Sequence, residues 1–440
     1  MKVAVVKEHC PGERRVALVP AAIGPLVKGG HEILVEASAG EAAGFPDEAY
    51  RQAGGRIVSR DEAFTADCVL TVRTAGADGE AWEADRARLR PGQIVIGTCD
   101  PLTAADACRE AADRGVTLFA LELVPRITRA QSMDVLSSQA NIAGYRAVLE
   151  AANHLPRILP MMTTAAGTVT PAKVLVLGAG VAGLQAIATA KRLGAQVSAY
   201  DVRPAVKEQV QSLGAKFVEL PLDTGTGEGA GGYARAMGEE FYSRQRELLG
   251  RVVADQDVVI CTALIPGQRS PLLVTRDAVA RMRPGSVIVD LAAERGGNCE
   301  VTVAGQTLLV DGVTVLGPTN LAAAVPYHTS QLYARNITTF LTHLLKLGLP
   351  EVNLDDEICR ETLVARGGHL VHPKIRERAG LAPLESLAPT SSGDRPAGPA
   401  STDHTGDGPP GDSACPPSRS FPSSPTPSPP RIPPVASSAS

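Results

Sequence analysis

The chain has 440 residues, 44% hydrophobic and 20% charged, with a formal net charge of −4. That length accommodates two or three domains, and the charge balance offers no basic surface, so nucleic-acid binding is not expected. Aromatic residues make up only 3%, so the core must rest on Val, Leu, Ile and Ala, as suits a parallel sheet buried on both faces.

The first third alternates strand and helix. Lys2–Val6 predicts a strand, Ala21–Lys28 a helix stopped by Gly29-Gly30, and Glu32–Glu36 the next strand. Cys68–Val72, Gln93–Ile96 and Thr117–Ala120 are further short apolar runs, with the helical stretch Ala104–Arg114 among them. A long helical pattern, Asp134–His154, has the length of a connector. Arg157–Val169 reads as an extended arm or hairpin. A second alternating block follows. Its strands are Val174–Leu177, Gln196–Tyr200, Lys216–Val218, Val258–Thr262, Val287–Leu291 and Val313–Leu316; its helices are Ala182–Arg192, Val206–Leu213, Glu239–Ala254 and Arg276–Met282. Tyr327–Lys346 predicts one more helix, returning to the first block. From about Pro389 the chain turns to Pro, Ser, Thr, Gly and Asp, too poor in apolar residues to offset its ordering entropy, and disorder is expected over 387–440.

Other features are bland. Eight cysteines are scattered without a CxxC pair and with no cluster of histidines near them, which argues against zinc or a disulfide framework and for a reducing compartment. No metal is expected. His154, His328, His343, His369 and His372 fall in no recognisable carboxylate pattern. The N-terminus shows no signal-peptide core, and no apolar run reaches the ~18 residues of a membrane span. Work at a membrane would have to run through a partner.

The strongest local signal is KVLVLGAGVAGLQAIATAKRLGAQVSAYDVRP. Strand Val174–Leu177 leads into Gly178-Ala179-Gly180-Val181-Ala182-Gly183, which opens an Ala-rich helix. Gly178 permits the tight turn, Gly180 lets backbone amides approach a pyrophosphate, and Gly183 lets the helix pack closely on the sheet. The diphosphate would sit on the helix N-terminus. The second strand ends at Asp201, placed to accept hydrogen bonds from the adenosine ribose hydroxyls and to repel a 2′-phosphate. NAD(H) is therefore favoured over NADP(H), although Arg203 close by could accommodate that phosphate. The fold expected is α/β: two Rossmann-like, doubly wound parallel-sheet domains with a cleft between them. The first is discontinuous, 1–133 plus 327–380; 134–154 is the connecting helix; the NAD(H)-binding domain is 155–326.

Two more stretches invite a function. Arg126, Gln131, Asp134 and Ser137 bring amide-recognising side chains together with no obvious nucleophile, as hydride transfer would need. The alternative for this cluster is a helix N-cap with solvated polar neighbours. The glycine-rich loop Leu222–Gly232, followed by Tyr233, suits a mobile lid.

Several segments resemble one family: PRITRAQSMDVLSSQANIAGYRAV, the fingerprint continuing into DVRPAVKEQVQSLGA, TALIPG, GSVIVDLAAERGGNCE and SQLYARN. Together they look like the alpha subunit of NAD(P) transhydrogenase over about Met1 to Arg378, with alanine dehydrogenase as a relative. The resemblance implies direct hydride transfer between NADH bound here and NADP(H) bound on a partner component, coupled to proton movement through a membrane component. It also implies a homodimer exchanging the Arg157–Val169 arm, and a position on the cytoplasmic face of the membrane. Carried onto this sequence, Arg126, Asp134 and Ser137 would hold the dihydronicotinamide, and Gln131 would reach toward the partner's nucleotide. Tyr233 would belong to the closing loop. Thr262, Ala263 and Leu264 would lie beside the adenosine and nicotinamide ribose, and Gly178, Gly180, Val181, Ala182, Gly183, Asp201, Val202 and Arg203 would form the rest of the nucleotide site. The alternative is a self-contained NAD-dependent amino-acid dehydrogenase of the alanine dehydrogenase type. In such enzymes a Lys and a His follow the N-terminal strands, where this chain has Arg73 in TVRTAGAD and Cys99-Asp100 in GTCDPL, so a good proton shuttle is missing. Arg15 in GERRVALVP is expected to make a structural ion pair, the alternative being a relic of a substrate-binding Arg.

Overall fold

The computed structural model describes residues 1–222, 238–265 and 267–384. Most of the glycine-rich loop, Tyr233 and the tail expected over 387–440 lie outside the described residues.

The strands, in chain order, are β1 (Lys2–Val5), β2 (Glu32–Glu36), β3 (Arg56–Val58), β4 (Cys68–Arg73), β5 (Ile94–Thr98), β6 (Thr117–Ala120), β7 (Met162–Thr164), β8 (Gly167–Val169), β9 (Lys173–Leu177), β10 (Gln196–Tyr200), β11 (Lys216–Phe217), β12 (Val258–Cys261), β13 (Val287–Asp290), β14 (Thr307–Val310), β15 (Val313–Leu316), β16 (Leu363–Arg366) and β17 (His369–Leu370). They form an eight-stranded sheet, β17-β16-β6-β5-β4-β1-β2-β3, a seven-stranded sheet, β11-β10-β9-β12-β13-β15-β14, and the hairpin β7–β8. Within each large sheet the first six strands in chain order, leaving out the antiparallel edge strand β14, run parallel in the order 3-2-1-4-5-6. That is the doubly wound Rossmann arrangement, present twice in one chain.

Both sheets are buried on two faces. In β1, Val3 and Val5 face one apolar layer and Ala4 the other; in β9, Val174 and Val176 face one and Leu175 and Leu177 the other. Side chains alternate across a strand, so near-continuous apolar runs are what a covered parallel sheet requires.

Three helices place the cleft. Helix Pro326–Lys346 lays Tyr333, Ile337, Phe340 and Leu344 against the first sheet, with Phe340 edge-on to Phe119 at 5.7 Å. Helix Val135–His154 packs Ala147, Val148 and Ala151 into the layer beneath the second sheet. It crosses the fingerprint helix, Val181–Arg192, at Gly144, where a Cβ would collide with the Ala182 carbonyl.

Sequence and structure differ at the edges. Strands β3, β14, β16 and β17 have no counterpart among the expected elements. The helix expected to Met282 ends at Ala280, and the strand expected at Gln93–Ile96 runs Ile94–Thr98. The Arg157–Val169 segment contains the hairpin β7–β8, whose six residues are all exposed. Among the described residues no helix is long and apolar enough to cross a membrane.

Candidate functional site

Strands that meet at a change of winding direction leave a crevice at their carboxyl ends. Here two such points, beyond β1/β4 and beyond β9/β12, face one cavity of about 700 Å³ lined by Arg73, Thr98, Gly178, Asp201, Thr262 and Leu291, among others.

The wall from the second sheet is built on the glycine turn. Gly178 has φ +96°, a left-handed conformation that suits glycine. A Cβ there would stand 2.8 Å from Thr262 Oγ1, and that hydroxyl donates to the Gly178 carbonyl at 2.8 Å. A Cβ on Gly183 would collide with the same carbonyl, so the helix seats directly on the turn. Gly180, by contrast, has nothing within 4 Å of where its Cβ would be. As N-cap it brings no side chain to the first helical turn, leaving those amides for an anion.

Asp201, 9% exposed, closes this wall. Its Oδ2 accepts from Ala179 N at 2.7 Å and Arg203 Nη2 at 2.8 Å; its Oδ1 accepts from Arg203 N and Nε, both at 2.9 Å. A carboxylate has about four acceptor positions, so ribose hydroxyls would have to take places now held by Arg203.

Sequence reasoning missed two residues behind this wall. Asn298, fully buried, grips both sides of Ala263: its Oδ1 accepts from Ala263 N at 3.0 Å and its Nδ2 donates to Ala263 O at 2.8 Å. Asp290 in turn accepts from the amides of Asn298 and Cys299 and from Thr302 Oγ1, at 2.8 to 2.9 Å. Both lie in GSVIVDLAAERGGNCE, so the signal stands in a segment that carries the family resemblance but suggests no role for either residue. Gln245 is also buried. Its Nε2 donates to Tyr200 Oη at 2.8 Å, and its Oε1 has no partner among the described residues.

The opposite wall carries a buried charge cluster. Glu13 pairs with Arg15 at 2.6 Å and with Arg73 at 3.0 Å, and accepts from Asn320 Nδ2 at 2.9 Å. Burial alone would raise its carboxyl, but the hydrogen bonds and charge of Arg15, with Arg73 behind, hold it at about 2. The structural ion pair expected of Arg15 is therefore present. Arg295, from the turn after β13, spans the cleft to Asp100 at 2.6 Å and to Thr103 Oγ1 at 3.0 Å. Burial pushes the Cys99 thiol well above its usual range.

Glu122 holds the loop that presents Asp100. Its Oε1 accepts from Cys99 N at 2.7 Å and Asp100 N at 2.6 Å, while Oε2 has no partner among the described residues. Burial raises its carboxyl from the usual 4.5 to about 7, against the lowering effect of those amides. Between these values the unfolded chain gives up a proton that the folded chain keeps, so stability falls as pH rises through that window. Glu122→Gln keeps the acceptor and cannot titrate. Urea melts at about pH 5 and about pH 8 will show the variant gaining on the parent at the higher pH; a constant difference would show that Glu122 does not carry the linkage.

Two family descriptions match the chain: alanine dehydrogenase/PNT, N-terminal domain, over residues 4–143, and alanine dehydrogenase/PNT, C-terminal domain, over residues 147–373. The chain belongs to the alanine dehydrogenase/PNT family. It is 46% identical over 380 residues to the first part of NAD(P) transhydrogenase subunit alpha of Rhodospirillum rubrum, covering 85% of this chain and 99% of the relative. The counterpart in Rickettsia prowazekii is 43% identical, covering 86% and 98%. The alanine dehydrogenase of Bacillus subtilis is 27% identical, covering 86% and 95%. A solved transhydrogenase structure from Sinorhizobium meliloti superposes with a TM-score of 0.74 at 46% identity, over 85% of this chain and 99% of that one. An L-alanine dehydrogenase structure gives 0.73 at 28%, over 86% and 99%. Fold similarity barely separates the two kinds of family member; sequence favours the transhydrogenase side.

Of the residues singled out from sequence, the structure brings Arg126, Ser137, Gly178, Gly180, Val181, Ala182, Asp201, Val202, Arg203, Thr262, Ala263 and Leu264 to the cavity. Gly183 lies behind it. Gln131 is exposed, and neither it nor Asp134 lines the cavity. Asp134 is the N-cap of helix Val135–His154, accepting from Ser137 N at 2.9 Å and Ser137 Oγ at 2.6 Å. The capping alternative is thus realised at Asp134, and the Ser137 it holds lines the cleft. Tyr233 lies outside the described residues. His343 Nε2 meets a carboxylate that the sequence did not announce, Asp356, at 2.9 Å, and Asp356 also pairs with Arg129 at 2.8 Å. Neither His343 nor Asp356 lines the cavity. Folding, not sequence proximity, made the pair.

Proposed function

We propose that this chain is the NAD(H)-binding component of a proton-translocating NAD(P) transhydrogenase, exchanging hydride with NADP(H) held by a partner component. The observation that carries the reading is the pairing of the two walls. One offers a glycine turn, a helix N-terminus and Asp201. On the other, the positions where an amino-acid dehydrogenase needs a proton shuttle hold Arg73 paired with Glu13, a buried Cys99, and Asp100 paired with Arg295. A site that moves hydride without a proton needs positioning and exclusion of water rather than acid–base chemistry.

Within this reading Asp201 takes the adenosine ribose and the first turn of the fingerprint helix takes the diphosphate. Thr262, Ala263 and Leu264 flank the adenosine and the nicotinamide ribose, and Asn298 fixes Ala263. Arg126 and Ser137 orient the nicotinamide and its carboxamide, Asp134 holds Ser137, and exposed Gln131 faces the partner's nucleotide. NADH supplies the hydride from its nicotinamide. Membrane-spanning and NADP(H)-binding components complete the machine, with this chain peripheral on the cytoplasmic face. The exposed apolar side chains of the arm, Met161 at 67%, Met162 at 47% and Val169 at 49%, support a homodimer in which that arm is covered.

The test is a comparison of four mixtures. Hydride transfer between the two nicotinamide nucleotides will require both this chain and an NADP(H)-binding component; either alone will give none. Alanine with NAD⁺ and this chain alone will give no NADH. Alanine-dependent NADH formation would overturn the reading.

A further inference from the structure

The segment Thr128–Met133, which includes Gln131, is held from behind by a chain of hydrogen bonds whose direction is set at its buried end. Arg15, 8% exposed, can only donate, and its Nη1 donates to Gln139 Oε1 at 2.8 Å. Gln139 must therefore turn its amide nitrogen the other way, to Ser138 Oγ at 3.2 Å. That hydroxyl, accepting from Gln139, places its own proton on Asn336 Oδ1 at 2.7 Å, nearer than the Val135 carbonyl at 3.2 Å. Asn336 is then left with its amide nitrogen facing the Ser132 carbonyl, to which it donates at 2.8 Å. Both amides have one satisfying orientation: flipping Gln139 would set donor against donor at Arg15 Nη1, and flipping Asn336 would set acceptor against acceptor at the Ser132 carbonyl.

The helix that supplies Asn336 braces other parts of the same wall. Ser330, Tyr333 and Asn336 are three residues apart and share one buried face. Ser330 Oγ accepts from Val16 N at 3.0 Å, and Tyr333 Oη donates to Thr71 O at 2.9 Å.

We propose that Asn336 is a positioning residue for hydride transfer: through the relay from Arg15 it fixes the Ser132 carbonyl, and with it the height at which Gln131 meets the partner's nucleotide. The proposal rests on the transhydrogenase reading. Asn336 contacts no nucleotide in that reading; it acts through the loop.

Asn336→Asp keeps the size and the acceptor facing Ser138 but sets an acceptor against the Ser132 carbonyl. With full-length chain and an NADP(H)-binding component, the single-turnover transfer rate at saturating NADH will fall at least about tenfold, since small misplacements of reacting groups cost that much or more. The Kd for NADH, read by NADH fluorescence, will change less than about threefold, because the nucleotide wall is untouched. Amide hydrogen exchange across residues 128–136 will quicken. Ser138→Ala will act in the same direction and Ser138→Thr, which restores the hydroxyl, will recover the rate; this pair decides the matter if the Asp variant does not fold. Transfer within about twofold of the parent, NADH affinity lost in proportion to rate, or unchanged exchange in the loop would each overturn the proposal. The parent chain run alongside separates the two claims: if it transfers no hydride with the partner, the functional reading fails, while the exchange measurement still judges the relay.

Discussion

Asp201→Ala will weaken NADH binding by about tenfold to a hundredfold, the range given by losing hydrogen bonds to a charged group at about 1.5–3 kcal/mol. In the structure all the acceptor positions of Asp201 are engaged, three by Arg203 and one by Ala179 N. Ribose hydroxyls would exchange with the guanidinium contacts rather than fill a gap, so the native affinity already includes the cost of moving Arg203. Removing the carboxylate has a second effect. It removes the group that neutralises Arg203, and that guanidinium then faces the position of a 2′-phosphate. NADPH will therefore lose less affinity than NADH, or gain, and the preference between the two nucleotides will narrow. Fluorescence titrations with both nucleotides read this directly. Equal losses for NADH and NADPH would show that Asp201 acts only by holding the turn at Ala179.

Gly144→Ala will lower both stability and NADH affinity, although alanine is the better helix former by about 1 kcal/mol. The two effects oppose, and the neighbour decides the sign. A Cβ at Gly144 would collide with the backbone carbonyl of Ala182, and a main-chain atom cannot turn aside as a side-chain tip can. Overpacking of this kind costs about 1–3 kcal/mol and displaces what it touches. What it touches is the first turn of the fingerprint helix, where the diphosphate is proposed to sit. Urea melts should show a lower midpoint and titrations a weaker NADH complex, by about twofold to tenfold if half the strain is relieved by shifting that turn. A raised midpoint would mean that helix propensity wins and that the crossing has room to spare.

The second sheet was legible because its strands are apolar runs separated by punctuated helices, and because the glycine motif stands in that frame with Asp201 one strand later. Two hairpins escape the sequence reading although local signals are present. Asp311-Gly312, at φ +51° and +80°, separates TLLV from VTVL and joins β14 to β15. Gly367-Gly368, at φ +59° and +82°, joins β16 to β17. Such dipeptides between apolar runs are strong hairpin signals. The strands beside them are short, and the stronger alternation of strand and helix around them masks the signal. Other parts of the site have no local signal. Arg295 and Asp100 are 195 positions apart, and Asn336 and Ser132 are 204 apart. Nothing in either neighbourhood announces the other, and only the docking of the two sheets and the return of helix Pro326–Lys346 make them neighbours. The cluster around Asp134 is a third case. In the sequence, capping and a place at the cleft stand as alternatives, yet the cap that orients Ser137 lies at the edge of the cavity.

Hydride is proposed to pass directly from one nicotinamide to the other with no exchange through water. The measurement that meets this head-on uses NADH carrying deuterium at the transferred position of C4, mixed with NADP⁺, this chain and an NADP(H)-binding component in ordinary water. Mass spectrometry of the NADPH formed should find the deuterium retained. NADPH without label, or label released to solvent, would rule out direct transfer.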